Sequence, residues 1–377
     1  MDPALAKTLT FLFFIVLGVL LKTKLTTKDQ VNGLQKLILA VALPATIFVA
    51  LMGVKIDLAL IILPVMALLF NFALYWVCPL ILRLFDIPKQ SSAGRTLRML
   101  IPSLAPGLSC FPFLLEYLGE EPLANAALAD VGNKLFVLIF LYMVAINLFQ
   151  KRNKDEVAPK GQKVKSLLIS LLKEPINMVM SLAILLLSLG LNMESLPDFL
   201  SDAFGRLATL MTPLVLIFIG LAVKLEKGKV GKVVSVLLVR AGVSVLLSVL
   251  LITAFGLDEK GLLLLTVVFP LSSCSFWPFA HMSVFDAREK NRGISTQNRS
   301  FDTDFAVLVL ACSLPFSTAL ILGILSNQAF FADLSVLWIL GFSLTALGIL
   351  PHLLRKVYNN TLSSSRTSSG LLKKATD

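Results

Sequence analysis

Apolar residues run along this chain in blocks of about 20, which is the length an α-helix needs to cross a bilayer. Short polar segments separate the blocks. The pattern predicts eleven membrane spans, near residues 5–21, 31–53, 58–82, 99–118, 123–149, 174–191, 203–223, 233–255, 261–285, 301–325 and 331–351. It therefore predicts an all-α integral membrane protein.

Two of these spans contain residues that interrupt helices. Residues 101–113 read IPSLAPGLSCFPF in span 4, and residues 269–279 read FPLSSCSFWPF in span 9. Proline removes a backbone hydrogen bond, and the freed groups are tolerated in a membrane only inside protein or beside a cavity. We predict breaks at 105–110 and 272–275, near the middle of each span. For either span alone, a simple proline kink is the alternative.

Weak repeats relate the two halves of the chain. PATIFVALMGVK at residues 44–55 matches PLVLIFIGLAVK at 213–224, and S-x-x-P-F occurs at Ser109 and again at Ser275. Asp130 and Asp302 each precede Val-Leu by seven residues. The matches keep one order at an offset of five spans. Because five is odd, the halves must be inverted, as in secondary transporters.

The repeat divides the chain into five predicted regions. They are a first five-helix repeat at 1–150, a cytoplasmic linker at 151–173, an inverted second repeat at 174–325, an extra transmembrane helix at 326–356 and a disordered cytoplasmic tail at 357–377. The linker sequence KVKSLLISLLK is typical of an amphipathic helix lying on the inner leaflet. An extension of span 6 is the alternative.

Composition and charge support a multi-span protein and orient it. The chain is 56% hydrophobic and 15% charged, with a net charge of +11. No nucleic-acid recognition motif accompanies this charge. Most Lys and Arg residues lie after odd-numbered spans and in the tail, whereas the opposite segments hold only Lys7, Lys55 and Lys260. The positive-inside rule places the N-terminus outside and the C-terminus in the cytoplasm of a cell membrane.

The two breaks are the predicted substrate site. An inverted repeat brings them together at the membrane midplane, where unpaired N–H groups and positive dipole ends of half-helices favour an anion. Serine hydroxyls add further donors. The predicted substrate-binding residues are Ser103, Pro106, Gly107, Ser109, Cys110, Pro112, Ser272, Ser273, Cys274, Ser275 and Pro278.

Ionisable groups within the spans are candidates for ion coupling, since they are expensive in a membrane. Asp130 and Lys134 share one helix face, with Asn133 beside them. They could carry a proton or bind sodium, or they could form a permanent ion pair. Asp302, Thr303 and Asp304 at the start of span 10 are either part of an ion site or cap residues.

Three other polar residues in the spans receive structural interpretations. Arg240 and Lys36 are expected to anchor helices near their cytoplasmic ends by snorkelling. Asn71 lies near the middle of span 3, where a polar side chain can bridge helices.

Several segments resemble the auxin efflux carrier family. They are TTKDQVNGLQKLILAVALPATIF, ADVGNKL, LLKEPINMVMSLAILLLSLGLNMESLP and TPLVLIFIGLAVKL, within residues 5 to about 325. The resemblance implies two inverted five-helix repeats with broken helices 4 and 9 crossing, and a fold related to the bile-acid sodium symporter family. Span 4 departs from the family by lacking an Asn-Gly-rich pattern before its proline, and span 11 is extra.

The sequence therefore predicts a secondary carrier for a small organic anion, driven by a proton or sodium gradient and needing no cofactor. A sodium-coupled carrier like the bile-acid symporters is the runner-up. A channel and a metal-dependent lipid enzyme using Asp286, Asp302 and Asp304 are weaker alternatives. No nucleotide-binding or zinc-protease motif occurs. Homodimer formation is left open.

Overall fold

The computed structural model describes residues 3–53, 62–152, 161–222, 230–295 and 298–374. Secondary structure in these ranges is helical apart from one isolated β-bridge. Seven described helices are long and apolar enough to cross a membrane: Asp29–Met52, Ile62–Leu84, Glu120–Arg152, Asp198–Ala222, Val230–Phe255, Thr303–Ser326 and Leu334–Leu354. The protein is thus a multi-pass, all-helical membrane protein, as predicted. Lys55 and Lys224, which end the two matching segments of the repeat, lie outside the described residues.

The helices of the first part of the chain are α1 (Pro3–Leu21), α2 (Lys28–Leu37), α3 (Leu43–Met52), α4 (Ile62–Leu84), α5 (Ser92–Leu100), α6 (Pro106–Ser109), α7 (Phe111–Leu118), α8 (Glu120–Leu135) and α9 (Leu141–Arg152). Those of the second part are α10 (Gly161–Leu172), α11 (Pro175–Ser188), α12 (Asp198–Thr209), α13 (Met211–Ala222), α14 (Val230–Phe255), α15 (Lys260–Val268), α16 (Phe276–Asn291), α17 (Thr303–Ser326), α18 (Gln328–Phe331) and α19 (Leu334–Lys374). π-helical turns join α2 to α3 and α8 to α9.

The two interrupted spans are broken as the sequence predicts. Span 4 becomes α5, α6 and α7, and residues 101–110, which include α6, are called the first break. Span 9 becomes α15 and α16, and residues 269–275 between them are called the second break; a short 3-10 turn occupies its first three residues. Both breaks begin a few residues earlier than predicted, because Pro102 and Pro270 already end the preceding helices.

The predicted linker at 151–173 contains a helix that a short break separates from span 6. Helix α10 ends at Leu172 and α11 begins at Pro175, so only Lys173 and Glu174 separate them. Helix α10 contacts the π-helical turn Phe136–Phe140, which lies near the middle of span 5. A helix thus forms where the sequence predicts one, and it is separate from α11.

The helices fall into two groups by their contacts. Helices α1, α2, α3, α11, α12 and α13 pack on one another and are called the scaffold group. Helices α4 to α9 and α14 to α17 are called the crossover group, because they include both breaks and their neighbours. Helix α3 packs against α8 where the two groups meet.

Glycines permit the closest helix contacts within the groups. A Cβ on Gly18 of α1 would lie 2.1 Å from the Ile217 carbonyl oxygen of α13, and one on Gly132 of α8 would lie 1.8 Å from the Pro64 carbonyl oxygen of α4. Small residues commonly let membrane helices approach this closely. These positions fix α1 on α13 and α8 on α4.

Helix α19, the extra helix, packs along α14. A Cβ on Gly242 of α14 would lie 2.2 Å from Thr345 Oγ1 and 2.6 Å from the Gly341 carbonyl oxygen of α19. The helix continues to Lys374, so the tail predicted to be disordered from residue 357 is helical over most of its length. After Pro351 no proline stops the helix, and extending an existing helix is much easier than starting one.

Replacing Gly132 with alanine should weaken the packing of α8 on α4. The added methyl group would overlap the Pro64 backbone, which cannot move aside as a flexible side chain can. We expect the free energy of unfolding to fall by about 1–3 kcal/mol or more, the range typical of overpacking. Thermal unfolding in detergent measures this. Gly323→Ala is the matched control, because its Cβ would meet nothing within 4 Å; equal stability of the two variants would contradict the prediction.

Candidate functional site

The two breaks meet as an antiparallel backbone contact. Ala105 and Ser273 form an isolated β-bridge, with the Ala105 N–H donating to the Ser273 carbonyl oxygen at 2.9 Å. The bridge satisfies backbone groups that the interrupted helices leave unpaired. The prediction that the breaks come together is therefore confirmed.

Serine hydroxyls from the first break bind the backbone of the second. The Ser273 N–H donates to Ser109 Oγ at 3.0 Å, and the Ser275 N–H donates to Ser103 Oγ at 3.0 Å. Each hydroxyl also donates to a carbonyl of its own segment, Ser109 to Ala105 at 2.8 Å and Ser103 to Leu100 at 2.7 Å. Ser103 and Ser109 are fully buried. Their hydroxyls thus hold the crossing in this conformation.

Serine hydroxyls also accept from the Cys274 N–H of the second break and from the first turn of α16. The Cys274 N–H donates to Ser313 Oγ of α17 at 3.2 Å. Ser275 caps α16 by accepting the Trp277 N–H at 3.3 Å. Four of the N–H groups expected to hold an anion, those of Ser273, Cys274, Ser275 and Trp277, are therefore bonded to serine hydroxyls. A ligand would have to replace these bonds or bind beside them.

Arg240 is the largest fully buried side chain of the site, with 1% of its surface exposed. It lies on α14 and donates three hydrogen bonds to both breaks. Nε binds the Ile101 carbonyl at 2.8 Å, Nη2 binds the Ser103 carbonyl at 3.0 Å and Nη1 binds the Ser272 carbonyl at 2.9 Å. The planar guanidinium suits this task because its donors point outward in a fixed fork.

The expectation that Arg240 snorkels to a cytoplasmic end is wrong. It is 10 residues into the 26-residue helix α14 and faces the crossing. Among the residues that the structure describes, no carboxylate forms an ion pair with it. Three carbonyl dipoles replace a counter-ion. The sequence around Arg240 could not predict these hydrogen bonds, because the three carbonyl groups belong to residues far away in the chain.

The predicted ion-coupling residues of α8 form a buried cluster. Lys134 Nζ lies 3.3 Å from Asp130 Oδ2, and Asn133 Nδ2 donates to Asp130 Oδ1 at 2.8 Å. Asn133 Nδ2 also donates to the Leu104 carbonyl of the first break at 3.0 Å. The exposed fractions of Asp130, Asn133 and Lys134 are 4%, 1% and 6%. The cluster is thereby joined to the crossing.

Two residues of the scaffold group complete this cluster. Lys134 Nζ lies 3.1 Å from Glu174 Oε2 and 3.3 Å from Asn177 Oδ1. Glu174 is the N-cap position of α11 and lies in the short break between α10 and α11. Sequence reasoning missed Glu174 because it placed that residue at the end of a span. The signal that could have found it is the Lys-Glu-Pro sequence, in which Pro175 starts a new helix inside an apolar stretch.

Asn71 extends the cluster into α4. Its Nδ2 donates to Asn133 Oδ1 at 3.0 Å, so it bridges helices as expected. The side chain is completely buried, and its Oδ1 has no hydrogen-bond partner within the described residues. A buried carbonyl oxygen without a partner is unusual and indicates a place for a donor or a cation.

The other predicted substrate residues shape the backbone. Pro106 and Pro112 stand in the first turns of α6 and α7, and Pro278 stands in the first turn of α16, where proline is tolerated. Cys110 is fully buried at the turn between α6 and α7. Gly107 faces the scaffold group, because a Cβ there would lie 3.1 Å from Leu43 Cδ2 of α3.

Asp302, Thr303 and Asp304 occupy the start of α17, with capping contacts. Asp302 Oδ1 accepts the Phe305 N–H at 2.9 Å, and the Asp302 N–H donates to Thr96 Oγ1 at 2.9 Å. Thr303 is half-buried and Asp304 is exposed. These contacts favour the cap interpretation over the ion site.

One cavity touches the crossing, and another lies at the ends of the helices. One of about 240 Å³ opens between α4, α14 and α15, touches Phe269 and Pro270 of the second break, and has Thr266 as the one polar residue of its lining. Another of about 360 Å³ is polar and lies at the N-terminal ends of α8 and α15, beside Glu121, Asn125 and Lys260. No group of three or more His, Cys, Asp or Glu side chains within the described ranges could hold a metal ion.

Comparison with protein-family models finds no family that matches this chain, and comparison with curated proteins finds no matching relative.

Replacing Arg240 with methionine should strongly destabilise the protein. The change leaves three buried carbonyl oxygens without donors, and hydrogen bonds to charged groups each contribute about 1.5–3 kcal/mol. We expect a loss of at least about 3 kcal/mol, measured by thermal unfolding in detergent. Arg206→Met is the control, since Arg206 forms an ion pair with Asp202 that is exposed to solvent, and exposed pairs contribute little to stability. A wild-type unfolding temperature for Arg240→Met would contradict the assigned role.

Proposed function

We propose that this protein is a secondary active transporter for a small organic anion, coupled to a proton gradient. The observation that carries the proposal is the joining of two broken helices beside a buried ion cluster that links the two helix groups. Broken helices that meet within a membrane protein are typical of substrate sites in secondary carriers. The resemblance to the auxin efflux carrier family leads to the same proposal.

The proposed cycle moves the crossover group against the scaffold group. Apart from the packing of α3 on α8, helices of the scaffold group contact helices of the crossover group much less than they contact each other. The ion pair of Lys134 with Glu174 crosses this boundary, because α8 belongs to one group and Glu174 precedes α11 of the other. In this proposal, an inverted repeat of the two halves would give the inward-open and outward-open states equivalent structures, and the N-terminus lies outside.

Positive charge at the crossing supports an anionic substrate. Arg240 has five N–H donors and uses three of them, one on each nitrogen, for backbone carbonyls. Two donors remain for a ligand. Lys134 is the second buried cation near the breaks, and cations buried in a membrane usually serve function.

The surroundings of Asp130 favour the proton over sodium. Its two carboxylate oxygens already face the Lys134 ammonium and the Asn133 amide, so a cation is present where sodium would bind. A sodium-coupled carrier remains the second candidate, because the unpaired Oδ1 of Asn71 is an oxygen ligand of the kind that sodium takes. The proton gradient and the sodium gradient are therefore both included in the test.

Uptake into proteoliposomes tests the proposal. The purified protein is reconstituted, and uptake of malate, cholate and indole-3-acetate is measured under an imposed proton gradient, a sodium gradient or neither. We expect saturable uptake that the proton gradient drives and that shows counterflow. Sodium dependence would favour the second candidate. Unsaturable flux would indicate a channel, and no saturable flux under any gradient would count against the carrier.

Replacing Asp130 with asparagine tests proton coupling. Asparagine keeps the size of the side chain but has one carbonyl oxygen in place of two carboxylate oxygens, so it can neither take up a proton nor balance the charge of Lys134. Uptake should therefore lose its dependence on the pH gradient, whether Asp130 carries the proton itself or sets the charge of the Lys134 cluster that takes it up, while expression is retained. Asp202→Asn is the control, because Asp202 forms an exposed ion pair of the same i,i+4 spacing. Unchanged pH dependence in Asp130→Asn would remove Asp130 from the coupling mechanism.

A further inference from the structure

Lys134 stands between two carboxylates that belong to different helix groups. Asp130 lies 3.3 Å away on the same helix, and Glu174 lies 3.1 Å away across the boundary. The exposed side-chain fractions are 7% for Lys134, 6% for Asp130 and 24% for Glu174. One buried ammonium is thus shared by a deeply buried carboxylate and a more accessible one.

The two carboxylates are held with different strength. Asp130 is on the same helix face as Lys134 and also accepts a hydrogen bond of 2.8 Å from Asn133. Beyond Lys134, Glu174 Oε2 accepts a long contact of 3.4 Å from Asn177 Nδ2. Glu174 is therefore the partner that can be replaced, whereas Asp130 is fixed.

Other charges do not compete for this ammonium in the described structure. The described part of α3, which packs on both α8 and α11, has no ionisable side chain, and Arg83 of α4 is in the last turn, three turns beyond Asn71. Lys173 precedes Glu174 but is exposed. Of the side chains described on α10, the ionisable one is Lys165, which is also exposed.

We propose that Lys134 and Asn177 form a carboxylate-binding site of the carrier, and that the chain's own Glu174 occupies this site in the present structure. The inference deepens the proposed function and rests on it. A substrate carboxylate would accept hydrogen bonds from Lys134 Nζ and Asn177 Nδ2, the two groups that Glu174 contacts now.

The replacement of Glu174 by a substrate carboxylate leaves the charge of the cluster unchanged if a proton is taken up at the same time. A proton from water binds a Glu174 carboxylate oxygen, which then loses its attraction to Lys134, and the substrate carboxylate takes its place. One proton and one negative charge enter together, so the total charge of the cluster is unchanged. Because the Lys134 contact to Glu174 also links the helix groups, the same exchange removes a bond that holds them together.

Binding of carboxylates to purified protein tests this site separately from transport. The full chain in nanodiscs is titrated with malate, cholate or indole-3-acetate, with chloride as the reference anion, and binding is followed by thermal stabilisation at about pH 5.5 and about pH 7.5. For the wild type, affinity should increase at least about tenfold at the lower pH, since one proton is taken up with each anion.

Glu174→Gln should remove the competing carboxylate. We expect this variant to bind at least about tenfold more tightly than wild type at the higher pH, with less than about twofold dependence on pH. Lys134→Gln should lose binding, and Lys134→Arg should retain it. Because Lys134→Gln could fail to fold with two unpaired carboxylates, the double variant Lys134→Gln with Glu174→Gln is measured beside it and should also fail to bind. Asp202→Asn, at the exposed pair, should resemble wild type.

Several results would overturn the site. The first is a Glu174→Gln variant that binds carboxylates with the same affinity and the same pH dependence as wild type. The second is normal binding by the double variant Lys134→Gln with Glu174→Gln. The third is that none of the three carboxylates stabilises either wild type or Glu174→Gln. Saturable uptake in proteoliposomes together with such a result would leave the carrier proposal intact and place the substrate elsewhere. Carboxylate binding without any flux would instead support the site and remove the carrier.

Discussion

The structure depends on one buried guanidinium. Two membrane helices that are interrupted in their middle would leave backbone carbonyls without donors, at a free-energy penalty of several kcal/mol each. Arg240 supplies donors to Ile101, Ser103 and Ser272 at once. Because the three carbonyls come from both breaks, the same contact that satisfies each break also fixes its position against the other.

This arrangement separates a rigid part of the site from a changeable one. At the crossing, the β-bridge and the serine contacts pair the backbone, so it can move as a unit without exposing polar groups. Beside it, the ion cluster spans two helix groups and includes a partly exposed carboxylate at Glu174. Asn133 joins the two parts, since it binds both Asp130 and the Leu104 carbonyl. The backbone contact between the two breaks is thus linked, through Asn133, to the ion cluster that lies between the scaffold group and the crossover group.

Sequence patterns predicted the elements that depend on local chemistry. Blocks of apolar residues predicted eleven spans, and seven described helices are long and apolar enough to cross a membrane. Prolines predicted the two breaks, and the spacing of Asp130 and Lys134 predicted their ion pair. What they could not predict are contacts between distant residues. Arg240 resembles any arginine in a long helix, and its role depends on carbonyls more than 30 residues away. Glu174 was missed because it is the first residue of predicted span 6, a position where a charged side chain is ordinary, and its partner Lys134 is 40 residues away. The serines were identified, but not that they bind backbone N–H groups.

The packing of α19 on α14 has a consequence for the surrounding lipid. Gly242 and Gly341 bring the backbones of these helices together on the same helix that bears Arg240. A displacement of α14 along the membrane normal would therefore pull α19 with it, and the lipid-facing side chains of α19, such as Ile339 and Phe342, would leave the depth that suits them. Mismatch between a helix and the bilayer carries a free-energy penalty for each ångström. Bilayer thickness would then bias which end state the protein occupies.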